Sequence, residues 1–354
     1  MTELLRQLIA TPSFPREEKA ACDLLEQWMQ AHGLQPLRKG NNLMLQADCN
    51  GGEPTDGDRR KPLLLLNAHI DTVRPAASYT RDPFSPDIEG DRLYGLGSND
   101  DGGSLIALLK VYCHLAATRQ PYRLCFTATA EEEVSGRGGV EMLLPDLGAV
   151  SLGIIGEPTR MQMAVAEKGL MVLDCTAHGK SGHAARNEGV NALYEALPDI
   201  ERLRTWRFPK VSPYLGEVKT SVTMIQAGTQ HNVVPDSCTF VADVRSNGMY
   251  TNAELLDLIR GELRCDVTAR STRLNASHIE ENHPAVMRAR ELGIPLFGSP
   301  TTSNQSVLPF PTVKIGPGDS ARSHTADEYI CLSEIAAGID TYIRLLDGLN
   351  IQTL

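Results

Sequence analysis

The spacing of apolar residues changes from segment to segment along this chain, and those changes outline its elements. Leu4, Leu5, Leu8 and Ile9 recur at helical intervals, which predicts a helix over residues 3–11. Pro12 and Pro15 interrupt the pattern, and a second helix is expected over 17–33, stopping at Gly33. Residues 41–48 read as a strand and 50–61, NGGEPTDGDRRK, as a polar loop. Residues 63–67 are apolar without alternation, the pattern of a central strand covered on both faces. A helix over 105–116 precedes further strands over 124–130 and 151–155. The three strands run into polar groups: Asn67-Ala68-His69-Ile70-Asp71, Glu131-Glu132-Glu133 and Gly156-Glu157-Pro158. Functional groups just beyond the carboxyl ends of buried strands are the usual arrangement in α/β sheets.

The texture changes near Met161. Residues 169–178 alternate like a half-exposed strand, a helix follows over 191–203, and strands are expected over 219–227 and 238–245. A helix over 252–262 and a strand over 267–273 complete a compact α+β pattern. A helix over 283–293, a buried strand over 313–315 and a last helix over 331–349 then return to α/β character. The expected organisation is one α/β domain built from 1–165 and 276–354, interrupted by an inserted α+β domain over 166–275. A strand over 222–226 that buries one face leaves an edge for another subunit.

Composition narrows the class. A chain of 354 residues suits about two domains, and 42% hydrophobic with 22% charged residues excludes a fibrous, wholly disordered or repetitive protein. With 34 basic against 44 acidic residues, net −10, nucleic acid is not an expected partner. No stretch approaches 18 uncharged apolar residues, so no membrane span is expected. Eight cysteines are scattered without a CxxC pair, and the first twenty residues hold no long apolar run. The reading is a reduced, cytoplasmic protein whose cysteines act mostly as small buried hydrophobes.

The polar clusters carry the candidate chemistry. His69 and Asp71 are two apart, so Asp71 either orients the ring as a metal ligand or closes a hydrogen-bonded turn. Asp100 and Asp101 lie in the glycine-rich run 95–103, which has a weak likeness to a dinucleotide fingerprint. Two carboxylates would repel a pyrophosphate; a metal, or the start of a helix, suits them better. The three acids at 131–133 are either a solvated turn or a metal ligand beside a base. Together His69, Asp100, Glu133, Glu157 and His324 make a mixed N/O set that fits Zn, Co or Mn better than Ca or Mg. Five ligands with one shared carboxylate suit two ions about 3.5–4 Å apart.

The order of these motifs resembles the M20 metallopeptidase family, which includes acetylornithine deacetylases, succinyl-diaminopimelate desuccinylases and glutamate carboxypeptidases. The likeness rests on Asn67–Val73, Gly97–Gly103, Glu131–Glu133, Gly156–Thr159, Gly179–Ala184, Asn232–Asp236 and Ser323–Thr325, and spans nearly the whole chain. It implies a zinc-exopeptidase-like, three-layer αβα catalytic domain with an inserted ferredoxin-like dimerisation domain. It also implies two zinc ions per subunit, with Co or Mn able to substitute: His69 and Glu157 on one, Glu133 and His324 on the other, Asp100 bridging. Asp71 would orient His69, and Glu132 would be the general base and acid. His183 would reach across a homodimer to help polarise the scissile carbonyl. Gly169–Asp174 and Gly228–Asn232 look most like N-acylornithine deacylases.

That resemblance implies removal of the acyl group from a small-molecule N-acyl-L-amino acid, first of all N-acetyl-L-ornithine or N-succinyl-L-ornithine, in arginine biosynthesis. Glu132 would take a proton from the attacking water and return it to the leaving amine. The alternatives are a dinuclear-zinc dipeptidase or aminopeptidase, a succinyl-diaminopimelate desuccinylase, and a non-catalytic binding protein that kept the fold. Arg245 and Asn232 are candidates for the α-carboxylate, with Lys314 and Arg322 behind them. Two positions depart from the common pattern: Gly102 stands where Lys is usual, and Asn304 where Asp is usual.

Overall fold

A computed structural model of the chain describes residues 1–51, 61–186 and 188–351. The polar loop expected over 50–61 therefore lies almost wholly outside the described residues. The chain forms two compact units, one of residues 1–165, 279–297 and 303–354, the other of 166–278 with 298–302.

The first unit is built on a sheet whose strands run, from one edge, Leu37–Lys39, Asn42–Ala47, Arg123–Thr129, Leu63–His69, Val150–Ile155, Thr312–Lys314 and Met163–Glu167. Leu63–His69 is buried at every position. Its neighbours Arg123–Thr129 and Val150–Ile155 both pair with it in parallel. Burial on both sides accounts for the unalternating Leu63-Leu64-Leu65-Leu66 run, because a solvated face would call for polar residues at every second position. The helix Gly103–Ala116 buries nearly its whole first three turns. Leu332–Leu346 buries a single stripe through Ile335, Gly338, Tyr342, Leu345 and Leu346. No described helix is long and apolar enough to cross a membrane.

The second unit is a four-stranded antiparallel sheet in the order Lys219–Ala227, Ser237–Arg245, Met171–His178, Asp266–Ala269. With the helices Ala192–Thr205 and Asn252–Glu262 between strands, the chain order is βαββαβ, the ferredoxin-like arrangement. Met171, Leu173, Cys175 and Ala177 point into the core while the residues between them do not. That alternation marks a sheet covered on one face. Lys219–Ala227 is an edge strand, with Met224 and Ile225 exposed beside a register shift. Asn252–Glu262 starts at a capping box between Thr251 and Glu254.

Several elements differ from expectation. The strand expected over 267–273 ends at Ala269, and Ser271 and Arg273 lie in a turn closed by a bond from the Arg273 amide to the Ser271 hydroxyl. Met163–Glu167, buried throughout, was not expected; its Ala-Val-Ala core is too short to show a period. The last helix begins at Leu332 because Tyr329–Cys331 is a strand paired with Arg92–Tyr94. All eight cysteines are free thiols, five of them buried.

Candidate metal centre

Strand register assembles the first part of the site. His69 pairs with Thr129, and Asn67 with Ile155, so three parallel strands end side by side. His69 is the last residue of its strand. Glu131 takes a positive φ of 54° just past Ala130, and Glu132–Val134 form a short 3₁₀ turn. Glu157 follows Gly156, whose amide bonds the Asn67 carbonyl at 2.7 Å. A Cβ at Gly156 would come within 2.7 Å of Ser104 Cβ, so the close approach needs glycine. Asp100 sits on an irregular turn leading into Gly103–Ala116, and His324, at φ 58°, comes from a distant loop.

These side chains converge. His69 Nε2 is 3.1 Å from Asp100 Oδ1. His324 Nε2 is 3.1 Å from Glu133 Oε2 and 3.6 Å from Asp100 Oδ2. Among the described residues two candidate metal-binding groups result, His69 with Glu132 and Glu157, and His69 with Asp100 and Glu133; the ligating atoms of each lie within 4.8 Å of one another.

Asp71 uses its carboxylate in a way the His69–Asp71 spacing did not reveal. His69 Nδ1 lies 2.8 Å from the Asp71 backbone carbonyl and 3.5 Å from its carboxylate. The carboxylate accepts the backbone N–H of Glu132 at 3.1 Å and of Glu133 at 3.0 Å. The same device recurs nearby. Buried Glu18 accepts the N–H of Glu131 at 3.2 Å, and buried Glu328 accepts those of Asn99 and Asp100, both at 2.9 Å.

Crowding shapes the electrostatics. Burial pushes the Glu132 carboxyl up to about 8, with Glu133, Asp71 and Asp100 adding repulsion. Burial also drives Glu157 well above the usual range, and Asp100 and Glu132 push the same way. The Glu133 carboxylate, helped by Asp100, raises His324 to about 9 against the opposing effect of burial. Burial disfavours charge on His69, yet Asp100 and Asp71 outweigh it and raise the ring well above its ordinary value. Four carboxyls and two imidazoles held this close fit divalent cations, which supply the positive charge that would let the acids ionise together.

A model of the peptidase family M20/M25/M40 matches residues 65–348, most of the chain. The chain belongs to this family. Among curated relatives, an acetylornithine deacetylase of Proteus mirabilis is 29% identical over 94% of this chain and 92% of its own. A putative succinyl-diaminopimelate desuccinylase of Mycobacterium tuberculosis is 26% identical over 98% of each. A solved tripeptidase from Staphylococcus aureus aligns with a TM-score of 0.75 at 21% identity, covering 97% of this chain and 96% of its own. A dinuclear metal-binding peptidase of the family from Bacillus subtilis gives 0.72 at 15%, covering 99% and 98%. The fold is thus the M20 fold, an α/β unit with a separate β-sheet unit of the kind that serves as its dimerisation domain. The candidate clusters are consistent with a metal-dependent hydrolase and with a binuclear site.

The other M20 candidates fall in different places. Lys314 is buried at the end of Thr312–Lys314, and its charge tempers the rise at Glu157. Arg322 spends its guanidinium fork on both carboxylate oxygens of Glu334, at 2.7 and 3.0 Å. Arg245, in the second unit, makes the same fork with Asp243 at 2.8 and 3.0 Å. His183 and Asn232 are neighbours in that unit: His183 pairs with Val233, and the Ala184 amide bonds the Asn232 carbonyl. The His183 ring is exposed, and its Nδ1 accepts the Ala185 N–H at 3.2 Å. Glu18, Asn99 and Glu328 were missed as site residues. Only the Asp327-Glu328 pair closing the Ser320–Glu328 segment offered a signal.

Gly102 and Asn304 are explained by their surroundings. A Cβ at Gly102 would lie 2.5 Å from the Gly97 carbonyl oxygen and 2.6 Å from Leu5 Cδ1. Asn304 Nδ2 donates to Asn67 Oδ1 at 3.0 Å and Thr129 Oγ1 at 3.2 Å, a neutral network beneath the strand ends.

Proposed function

We propose that this chain is a metal-dependent amidohydrolase that removes the acyl group from an N-acyl-L-amino acid, with N-acetyl-L-ornithine or N-succinyl-L-ornithine as substrate. The observation that carries the proposal is the convergence of His69, Asp100, Glu133, Glu157 and His324, with Glu132 grouped beside His69 and Glu157. The acetylornithine deacetylase relative supports the acyl-amino-acid class.

His69, Asp100 and Glu157 would hold one cation, and Asp100, Glu133 and His324 a second, zinc fitting the mixed donors best. Bound there, the cations would supply Lewis acidity, making water nucleophilic near neutral pH and polarising the amide carbonyl. Glu132 would accept the proton of the attacking water on its carboxylate. A carboxyl with its affinity for protons raised can hold that proton and pass it to the leaving nitrogen. Asp71 would fix Glu132 and Glu133 through their backbone N–H groups. His183 would stabilise the oxyanion from the second unit in a homodimer, with Asn232 and Arg245 at the substrate carboxylate. Lys314 and Arg322 are weaker partners there, Arg322 being held by Glu334. A fully active monomer, read by light scattering, would remove the His183 role.

The test is one panel. Protein loaded with Zn or Co is assayed against N-acetylornithine, N-succinylornithine, N-succinyl-diaminopimelate and dipeptides, with a chelator control. Hydrolysis of an acylornithine that disappears with chelation is expected. Preference for a dipeptide or for the diaminopimelate substrate would replace the assignment, and chelator-insensitive hydrolysis would reject it.

A further inference from the structure

Glu328 lies outside the two candidate groups found among the described residues, and its carboxyl is buried against the loop that carries Asp100. Oε1 accepts the N–H of Asn99 and of Asp100, both at 2.9 Å, and Oε2 accepts the N–H of Gly97 at 3.2 Å. Three amides of one turn thus point at a single side chain from 228 residues further along. The turn needs this partner. These amides precede the helix Gly103–Ala116, so its ladder offers them no acceptor. A buried N–H with no acceptor is unfavourable, and three of them would reshape the turn.

The arrangement also links two loops. Asn99 Nδ2 donates to the Asp319 carbonyl at 3.1 Å, and the Asp319 amide donates to Asn99 Oδ1 at 2.9 Å. Gly318 makes this possible, since a Cβ there would lie 2.4 Å from Asn99 Oδ1. Asn99 Nδ2 also reaches Ser323 Oγ, the neighbour of His324. Next door, Asp327 accepts the amides of Thr80 and Arg81 at 2.9 and 3.0 Å. The Asp327-Glu328 pair therefore ties the segment bearing His324 to two other loops.

We propose that Glu328 is a positioning residue: by accepting the amides of Gly97, Asn99 and Asp100 it holds the Asp100 carboxylate where it can be shared between two cations. The proposal rests on the reading of Asp100 as a ligand given above. It predicts a graded response. Gln at 328 can keep a carbonyl oxygen on Asn99 and Asp100 while setting an N–H group against Gly97. Asp is a methylene too short to reach, and Ala accepts nothing.

Two readouts are needed, Co²⁺ titration followed by its visible absorption, and amide hydrogen exchange over residues 97–100, each on the full chain with folding checked by circular dichroism. For Glu328→Ala the expected result is a 10–100-fold loss of Co²⁺ affinity, the range for lost partners of ligands, an altered absorption band and faster exchange at all three amides. Glu328→Asp should follow Ala. Glu328→Gln should recover most of the affinity and speed exchange at Gly97 alone. An Ala variant with wild-type affinity and spectrum overturns the proposal. If Ala fails to fold, Gln decides it: unchanged protection at Gly97 overturns it equally. A wild-type protein that binds no Co²⁺ sinks the ligand reading itself, and unchanged exchange in the variants sinks the positioning role whatever the metal does.

Discussion

Replacing Asp71 by Asn conserves the volume of a fully buried side chain and changes only what it can accept. In the native site its two oxygens take the Glu132 and Glu133 amides at 3.1 and 3.0 Å. The amide side chain keeps one oxygen and turns an N–H group toward the other backbone N–H. One bond to a charged acceptor is lost, about 1.5–3 kcal/mol, and a buried donor is left without a partner, about 1–3 kcal/mol. Relaxation recovers part of this, leaving about 3–4 kcal/mol concentrated on the turn that carries Glu132. If the turn must regain its native geometry for Glu132 to act, that cost adds to the barrier, and at 1.36 kcal/mol per tenfold kcat falls on the order of 10²–10³-fold. His69 should keep its 2.8 Å contact with the Asp71 carbonyl. Steady-state kinetics of the zinc-loaded variant, with metal analysis and denaturant unfolding alongside, measure the effect. Turnover within about twofold of wild type at unchanged metal content would refute the account of Asp71 as the anchor of the Glu132 turn.

Glu132→Gln should keep its metal content while kcat falls about 10²–10⁴-fold, the range for a lost acid–base group; unchanged turnover would remove Glu132 from the chemistry. Chelator-treated protein should lose stability as pH rises. Glu132 is raised from 4.5 to about 8 in the fold, so between those values the folded state holds a proton the unfolded state has released. His324, raised from 6.5 to about 9, has the same sign: its stabilising pair is whole below 6.5 and fades through 9. Denaturant unfolding from pH 5 to 9 should show this decline, and saturating Zn should flatten it; metal-free stability that climbs with pH would contradict it. Gly102→Ala should cost about 1–3 kcal/mol, because its Cβ meets the backbone carbonyl of Gly97 at 2.5 Å. An unfolding midpoint equal to wild type would show that the turn has slack.

What could be read from the sequence follows from how locally each feature is encoded. The strand Leu63–His69, the strand Met171–His178 and the helix Asn252–Glu262 carry their burial pattern within one stretch, so a continuous apolar run, an alternation and a cap reveal them in turn. Met163–Glu167 and Tyr329–Cys331 are held by partners far along the chain and have no period of their own. The site divides in the same way. His69, Glu132, Glu133 and Glu157 stand out because an acid or imidazole directly after an apolar strand needs a reason. Glu18, Asp71 and Glu328 act on backbone amides, and which amides a carboxylate will meet depends on tertiary structure. Asp71 stands out through its spacing from His69, and its carboxylate lies 3.5 Å from that ring; that it also accepts the amides of the next strand's turn is visible only in the fold.

These anchors bear on why so many acids are tolerated in one place. Tight turns at strand ends leave N–H groups outside the sheet, and such groups are partly positive. Glu18, Asp71 and Glu328 each turn their side-chain oxygens on those groups, and in doing so they fix the turns. Glu132, Glu133, Glu157 and Asp100 are presented by the same turns with their carboxyls facing one another and the two imidazoles. Burial and mutual repulsion then drive protons onto Glu132 and Glu157. The fold therefore gives its carboxyls two roles: Glu18, Asp71 and Glu328 accept backbone N–H groups and hold the geometry, while Glu132, Glu133, Glu157 and Asp100 face the imidazoles and one another, where a cation can meet them.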